Sequence, residues 1–176
     1  MSEFFLTVEQ KQLVVSRTSQ FIAEANKQLK LELEDIPVKF DLKGKSSGMF
    51  VVKNKQICIR YNEMIFSAYF EDALINTVAH EVAHYVVFSV WGLKSAKPHG
   101  REWKQVMALL GVKAEVTSRY KVDHIPLHQQ RRHDYSCACM THQLSTTRHN
   151  KVQSKKAVYN CRKCRQPLRL LDVTCK

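Results

Sequence analysis

His80-Glu81-Val82-Ala83-His84 decides how this chain is read. The pentapeptide lies inside one apolar segment that runs from Phe70-Glu71-Asp72 through Tyr85-Val86-Val87-Phe88 to Trp91-Gly92. The spacing predicts a helix of roughly six turns over residues 70–91. Acids stand in its first turn, and Gly92 suits the position just past its end. Residues four apart share a helix face, so His80 and His84 can aim both rings at one metal ion. Glu81 points about 100° away around the axis, where it suits a base acting on water at the metal. The plainer alternative is a helix with two hydrogen-bonded, partly buried histidines. Ionisable side chains are uncommon in so apolar a setting unless paired or metal-bound, which favours chemistry. The pattern points to zinc hydrolase chemistry, most often peptide hydrolysis.

A catalytic zinc takes three protein ligands and keeps one position open. The short metzincin continuation would need Gly at 87 and His at 90, and this chain has Val87 and Val90. His99 is the next candidate, in Lys97-Pro98-His99-Gly100-Arg101-Glu102-Trp103. It precedes a second periodic stretch, Trp103, Val106, Met107 and Leu110, read as a supporting helix ending at Gly111. Glu102 is the rival third ligand; otherwise it is an ordinary first-turn acid.

Upstream, Val8, Leu13, Val14, Phe21, Ile22, Ala25 and Leu29 predict a packing helix over 8–30. The period changes at 37–60, where Val38–Leu42, Met49–Val52 and Gln56–Arg60 read as three short antiparallel strands. Cys58, among apolar neighbours, reads as a buried thiol. An edge strand there could pair with an extended substrate backbone.

The last third is different. Cys137-Ala138-Cys139 and Cys161-Arg162-Lys163-Cys164 are two close pairs with two strands expected between them, at Gln143–His149 and Lys156–Asn160. This is zinc-ribbon spacing, four thiolates on one structural metal. The first pair has one intervening residue rather than two, and His142 is close enough to replace a cysteine. Cys175 has no partner and is not counted as a ligand.

Charge follows the same division. Residues 1–118 carry 15 Lys+Arg and 13 Asp+Glu, whereas residues 119–176 carry 13 against 3. A basic module on a nearly neutral one is the footprint of a nucleic-acid binder. Arg131, Arg132, Arg148, Lys151, Lys155, Lys156, Arg162 and Lys163 are the candidate phosphate contacts, and Tyr135 or Tyr159 could stack on unpaired bases. No membrane-length apolar run or secretion-type leader is visible, so the cysteines are expected reduced or metal-bound in a cytoplasmic protein.

The HExxH helix, then Pro98-His99-Gly100-Arg101-Glu102-Trp103, then Arg148-His149-Asn150-Lys151-Val152 and Tyr159-Asn160-Cys161-Arg162-Lys163-Cys164 resemble the SprT family over about residues 8–171. Its eukaryotic relative is the DNA-dependent protease Spartan. The resemblance implies zinc on His80, His84 and His99, with Glu81 as the catalytic residue. It also implies protein substrates held on or crosslinked to DNA, single-stranded or at junctions. The expected architecture is α+β: a zincin-like metallopeptidase domain at 1–118, with a small antiparallel sheet beside the HExxH helix, and a zinc-ribbon module at 119–176. Two zinc ions, one catalytic and one structural, and a monomeric chain in the bacterial cytosol complete the expectation.

Overall fold

In the computed structural model, which describes residues 4–95, 97–117, 120–127 and 131–171, the first helix starts at a reciprocal cap. Gln10 N–H donates to Thr7 Oγ1 and Thr7 N–H to Gln10 Oε1, at 3.2 and 2.9 Å. Helix α1 (Val8–Leu29) buries Val14, Thr18, Phe21, Ile22 and Ala25, and ends where Lys30 turns left-handed. Three strands follow: β1 (Val38–Lys39), β2 (Gly48–Lys53) and β3 (Gln56–Tyr61), in the order β1-β3-β2. The β2–β3 hairpin turns at Asn54-Lys55, both at positive φ, as its two-residue turn requires.

The sheet is mixed, not wholly antiparallel as expected, because β1 pairs parallel to β3. The reason lies in the connection from β1 to β2, which wraps around the end of β3. Asn62 fastens it there, donating from Nδ2 to Gly44 O at 2.7 Å and from its backbone to Ser47 O at 2.8 Å. Strand alternation sends Ile59 and Tyr61 into the core and leaves Cys58, on the opposite face, half-exposed, so Cys58 is not the buried thiol expected.

After a short helix α2 (Glu63–Ala68) comes α3 (Phe70–Ser95), whose helical course breaks at Gly92 (φ 74°, ψ 167°). That conformation is open to glycine almost alone, so the helix stops where the sequence predicts. Ala73, Val78, Ala79, Val82, Ala83 and Val86 are fully buried. Helix α4 (Arg101–Leu109) buries Trp103, Val106 and Met107 against this core. Among the described residues, no helix is long and apolar enough to cross a membrane.

The chain divides into two compact units, Met1–Leu127 and His128–Lys176. The first extends beyond the 118/119 boundary drawn from charge. Tyr120 stacks on Tyr69, with centroids 4.6 Å apart, and donates its hydroxyl to Asp72 at 2.6 Å; Tyr69 donates to Lys121 O at 2.8 Å. Charge composition does not register such contacts.

The second unit holds β4 (Arg132–Ser136), β5 (Thr141–Ser145), helix α5 (Thr146–Gln153) and β6 (Arg169–Leu170). This corrects the expected strands. The hairpin is β4–β5, with Cys137 and Cys139 at its tip; 146–153 is helical, and 156–160 contributes only an isolated bridge from Asn160 to Pro167. The helix returns His149 over β4, where its ring stacks on His133 at 3.7 Å and meets the Tyr135 hydroxyl at 3.0 Å. Tyr135 is fully buried, so of the two tyrosines it is packing, not a stacking surface. Cys175 lies outside the described residues.

Among the described residues this unit buries only Tyr135, Leu144 and Cys161. So small a core cannot supply a stable fold alone, and a metal cross-link would supply most of the folding free energy. Chelation, or Cys161→Ser, is therefore expected to collapse the amide NMR dispersion of residues 131–171 while the helical resonances of the first unit persist. Retention of both sets after complete metal removal would contradict this.

Candidate metal centres

The His80, His84 and His99 rings converge. Their Nε2 atoms stand 3.2 Å (His80–His84), 3.1 Å (His84–His99) and 2.9 Å (His80–His99) apart. Ring nitrogens around a tetrahedral zinc at ~2.0–2.1 Å would be separated by ~3.3 Å, so the donor set fits that ion. Helix periodicity supplies the first two. The third arrives on a turn closed by Gly100 N–H to Lys97 O at 2.9 Å, which holds His99 at φ 55°. A histidine in that uncommon conformation is the kind of local strain found where a side chain must be presented. His99, not Glu102, completes the cluster.

Trp103 sits beneath all three rings, 4.7, 5.8 and 4.8 Å from those of His80, His84 and His99 by centroid. Its Nε1–H donates to His80 O at 3.3 Å, pinning α4 to the turn of α3 that carries His80. The Glu115 backbone hydrogen-bonds the His80 ring. Outer partners of this sort fix the orientation of a ligand ring. Neither Trp103 nor Glu115 is readable as a supporting residue from the HExxH pattern.

Glu81 is buried, and its Oε2 accepts the Phe50 backbone N–H at 2.7 Å. Phe50 lies on β2, an edge of the sheet. The approach is possible only because residue 48 has no side chain. A Cβ there would stand 2.7 Å from Glu81 Cγ, 2.8 Å from Glu81 Oε1 and 2.9 Å from Thr77 Cγ2. The signal in the sequence is a glycine opening a strand, which marks close approach.

Burial raises the Glu81 carboxyl to about 7, against the Phe50 N–H that favours its charged form. Burial draws His80 down to about 4, helped by neighbouring His99, and His84 down to about 3, helped by both other rings. Burial also lowers His99. All three are thus neutral at physiological pH, the form that binds metal.

In the second unit, Cys137, Cys139, Cys161 and Cys164 form the other group able to hold a metal, all four Sγ lying within 4.8 Å of one another. Cys137–Cys139 and Cys139–Cys161 are 3.5 and 3.8 Å apart, against ~3.8 Å for thiolates around zinc at ~2.3 Å. The single intervening residue in the first pair is explained by the hairpin tip, where Cys137 N–H closes on Met140 O. His142 stands beside this set, its Nε2 3.3 Å from Cys137 Sγ. Burial opposes ionisation of Cys137, but backbone N–H groups and His142 overcome it and bring that thiol to about 5. Cys139, sharing hydrogen bonds with Cys137 and Cys164, is pushed up to about 12. Thiols so crowded cannot all ionise without a cation among them.

Arg131, Arg132, Arg148, Lys151, Lys155, Lys156, Arg162 and Lys163 are all exposed. Among the described residues none lies within ion-pair distance of a carboxylate. The Arg148 guanidinium stands 5.6 Å from the Tyr159 ring centre.

Two outcomes follow from the geometry. Gly48→Ala should destabilise the fold by about 1–3 kcal/mol through overpacking, and the part of that loss due to Glu81, though not the part due to Thr77, should vanish in a Glu81→Ala background. Additive losses in denaturant titrations would contradict the contact. Metal-free His80 and His84 protonate below the ordinary 6.5, at about 4 and about 3. Below 6.5 these two rings bind fewer protons in the folded chain than in the unfolded one, so their contribution to stability falls as pH falls toward 4, whereas Glu81, raised to about 7, contributes the opposite slope over the same range. Denaturation of metal-free Glu81→Gln at pH 7, 6 and 5, with the opposing carboxyl removed, should show the decline due to the histidines, and a smaller one when His84→Ala is added.

Residues 18–124 match the SprT-like family. The chain is 38% identical over 137 residues to Protein SprT of Vibrio parahaemolyticus, covering 77% of this chain and 79% of that one. It is 34% identical over 161 residues to Protein SprT of Vibrio atlanticus (90% and 92% covered) and 31% over 164 residues to that of Salmonella arizonae (93% and 95%). No solved structure matches. With its metal-ligand geometry and these relatives together, the chain belongs to the SprT-like family.

Proposed function

We propose that this protein is a zinc-dependent endopeptidase acting, as a cytosolic monomer, on proteins held on or crosslinked to DNA, with its basic cysteine unit binding the DNA. One observation carries the reading. Three neutral nitrogen donors lie 2.9–3.2 Å apart, two of them on the helix that also carries a buried carboxylate titrating near neutrality. A base is most effective when its pKa lies near working pH.

When bound to the three histidines, zinc supplies a Lewis acid that polarises a peptide carbonyl and acidifies water. The remaining work falls to the chain. Phe50 N–H keeps Glu81 Oε2, so Oε1 is the oxygen that takes the water's proton and returns it to the leaving amine. The β2 edge can accept an extended peptide as an added strand. Phe50 N–H is committed to Glu81, so that pairing would begin at the next outward residue, Val52. The second metal, on Cys137, Cys139, Cys161 and Cys164, would be structural, and the eight exposed cations of that unit would meet phosphates.

A protein covalently trapped on single-stranded DNA is the substrate that tests this. With equal zinc in both chains, the wild type should cleave it and spare the same protein free of DNA, and Glu81→Gln should be slower by about 10²–10⁴-fold. Equal rates would remove Glu81 from the chemistry. No cleavage by either, with DNA binding intact, would make the chain a nucleic-acid-binding protein without proteolysis.

A further inference from the structure

The positive charge of the first unit is concentrated on one segment. Residues 37–60 hold six Lys+Arg and one Asp; the rest of residues 1–127 hold 11 Lys+Arg and 13 Asp+Glu. That segment forms the sheet, and alternation sends its residues to two faces. Phe50, Ile57 and Ile59 join the core, whereas Lys39, Val51, Lys53, Cys58 and Arg60 line a recess of about 580 Å³.

The layout of that recess is specific. Lys39 pairs with Arg60 across β1–β3, and Lys53 with Gln56 across β2–β3. Cations therefore stand at both ends of the recess, four residues or about 13 Å apart along β3. Pro37, Val51 and Cys58 lie among them. The single acid is already engaged. Asp41 Oδ1 accepts Arg60 Nε–H at 2.7 Å, and Arg60 Nη2 also reaches Asp41 O at 3.3 Å. Lys39 and Lys53 are exposed, and among the described residues neither has a carboxylate within ion-pair distance.

We propose that this outer sheet face is a second nucleic-acid contact, carried by the metallopeptidase unit itself and taking the phosphodiester backbone of a single strand. The proposal rests on the DNA-binding part of the function above. The face is a surface of side chains, not a strand edge, so it offers an extended peptide no row of backbone partners. Two unpaired lysines flanking a shallow apolar floor offer point charges instead, which suits phosphates. No aromatic ring lines the recess, so the contact would be indifferent to base sequence. An enzyme unit that touches the strand directly would be held near its substrate independently of the cysteine unit.

Binding of the full-length, zinc-loaded chain to a fluorescent single-stranded oligonucleotide, titrated at several salt concentrations, tests this. Lys39→Ala/Lys53→Ala should lower the slope of log K against log salt by about 1.4, near 0.7 per lost contact. Lys27→Ala/Lys104→Ala, a pair of exposed helix lysines in the same unit, should leave the slope unchanged. Equal loss from both pairs would overturn the proposal, because the strand would then feel only net charge. No loss from either would overturn it as well. Failure of the wild type to bind at all would sink the DNA-binding reading from which it starts.

Discussion

Three imidazole nitrogens held within 2.9–3.2 Å of one another are the constraint on which the first unit depends. Neutral rings so placed turn lone pairs toward a common point, and protonated rings would repel. A cation among them would engage all three lone pairs at once. The fold is organised to impose it. The apolar α3 supplies two rings at helical spacing, α4 plants Trp103 under all three, and the turn before α4 delivers His99 in a strained conformation. The core of α1, β3 and α3 gives this cluster a rigid base.

The second coupling runs between helix and sheet. Glu81 reaches across to β2 and takes Phe50 N–H, through a gap that exists because residue 48 is glycine. The carboxylate is thereby oriented by a strand at the edge of the sheet. Burial raises its proton affinity, and the backbone donor limits the rise. The base and the proposed substrate-binding edge are thus set by one strand, so movement of β2 would disturb both together.

Much of this was legible in the residues. Apolar periodicity around His80 and His84 located α3 and its end at Gly92, and the family resemblance pointed to His99. The supporting contacts were not legible. Gly48, Phe50, Trp103 and Glu115 act through tertiary approach, which leaves no periodic trace. The parallel β1–β3 pair escaped notice because Asn62 redirects the intervening loop from a distance. In the cysteine unit the four clustered cysteines were evident from spacing, but the strands were not. Thr146–Gln153 is short and polar, and its helix is fixed by His149 returning to His133 and Tyr135 rather than by local propensity.

A metal on the two cysteine pairs would do for the second unit what a hydrophobic core does for the first, which makes metal content the common test of both candidate centres. Zinc should be quantified per chain in the purified wild type, in His99→Ala and in Cys161→Ser. The structure predicts two zinc ions in the wild type and one in each variant, with nitrogen-rich coordination surviving only in Cys161→Ser. A single, sulfur-bound zinc in the wild type, unchanged by His99→Ala, would contradict the histidine centre and with it the hydrolytic account.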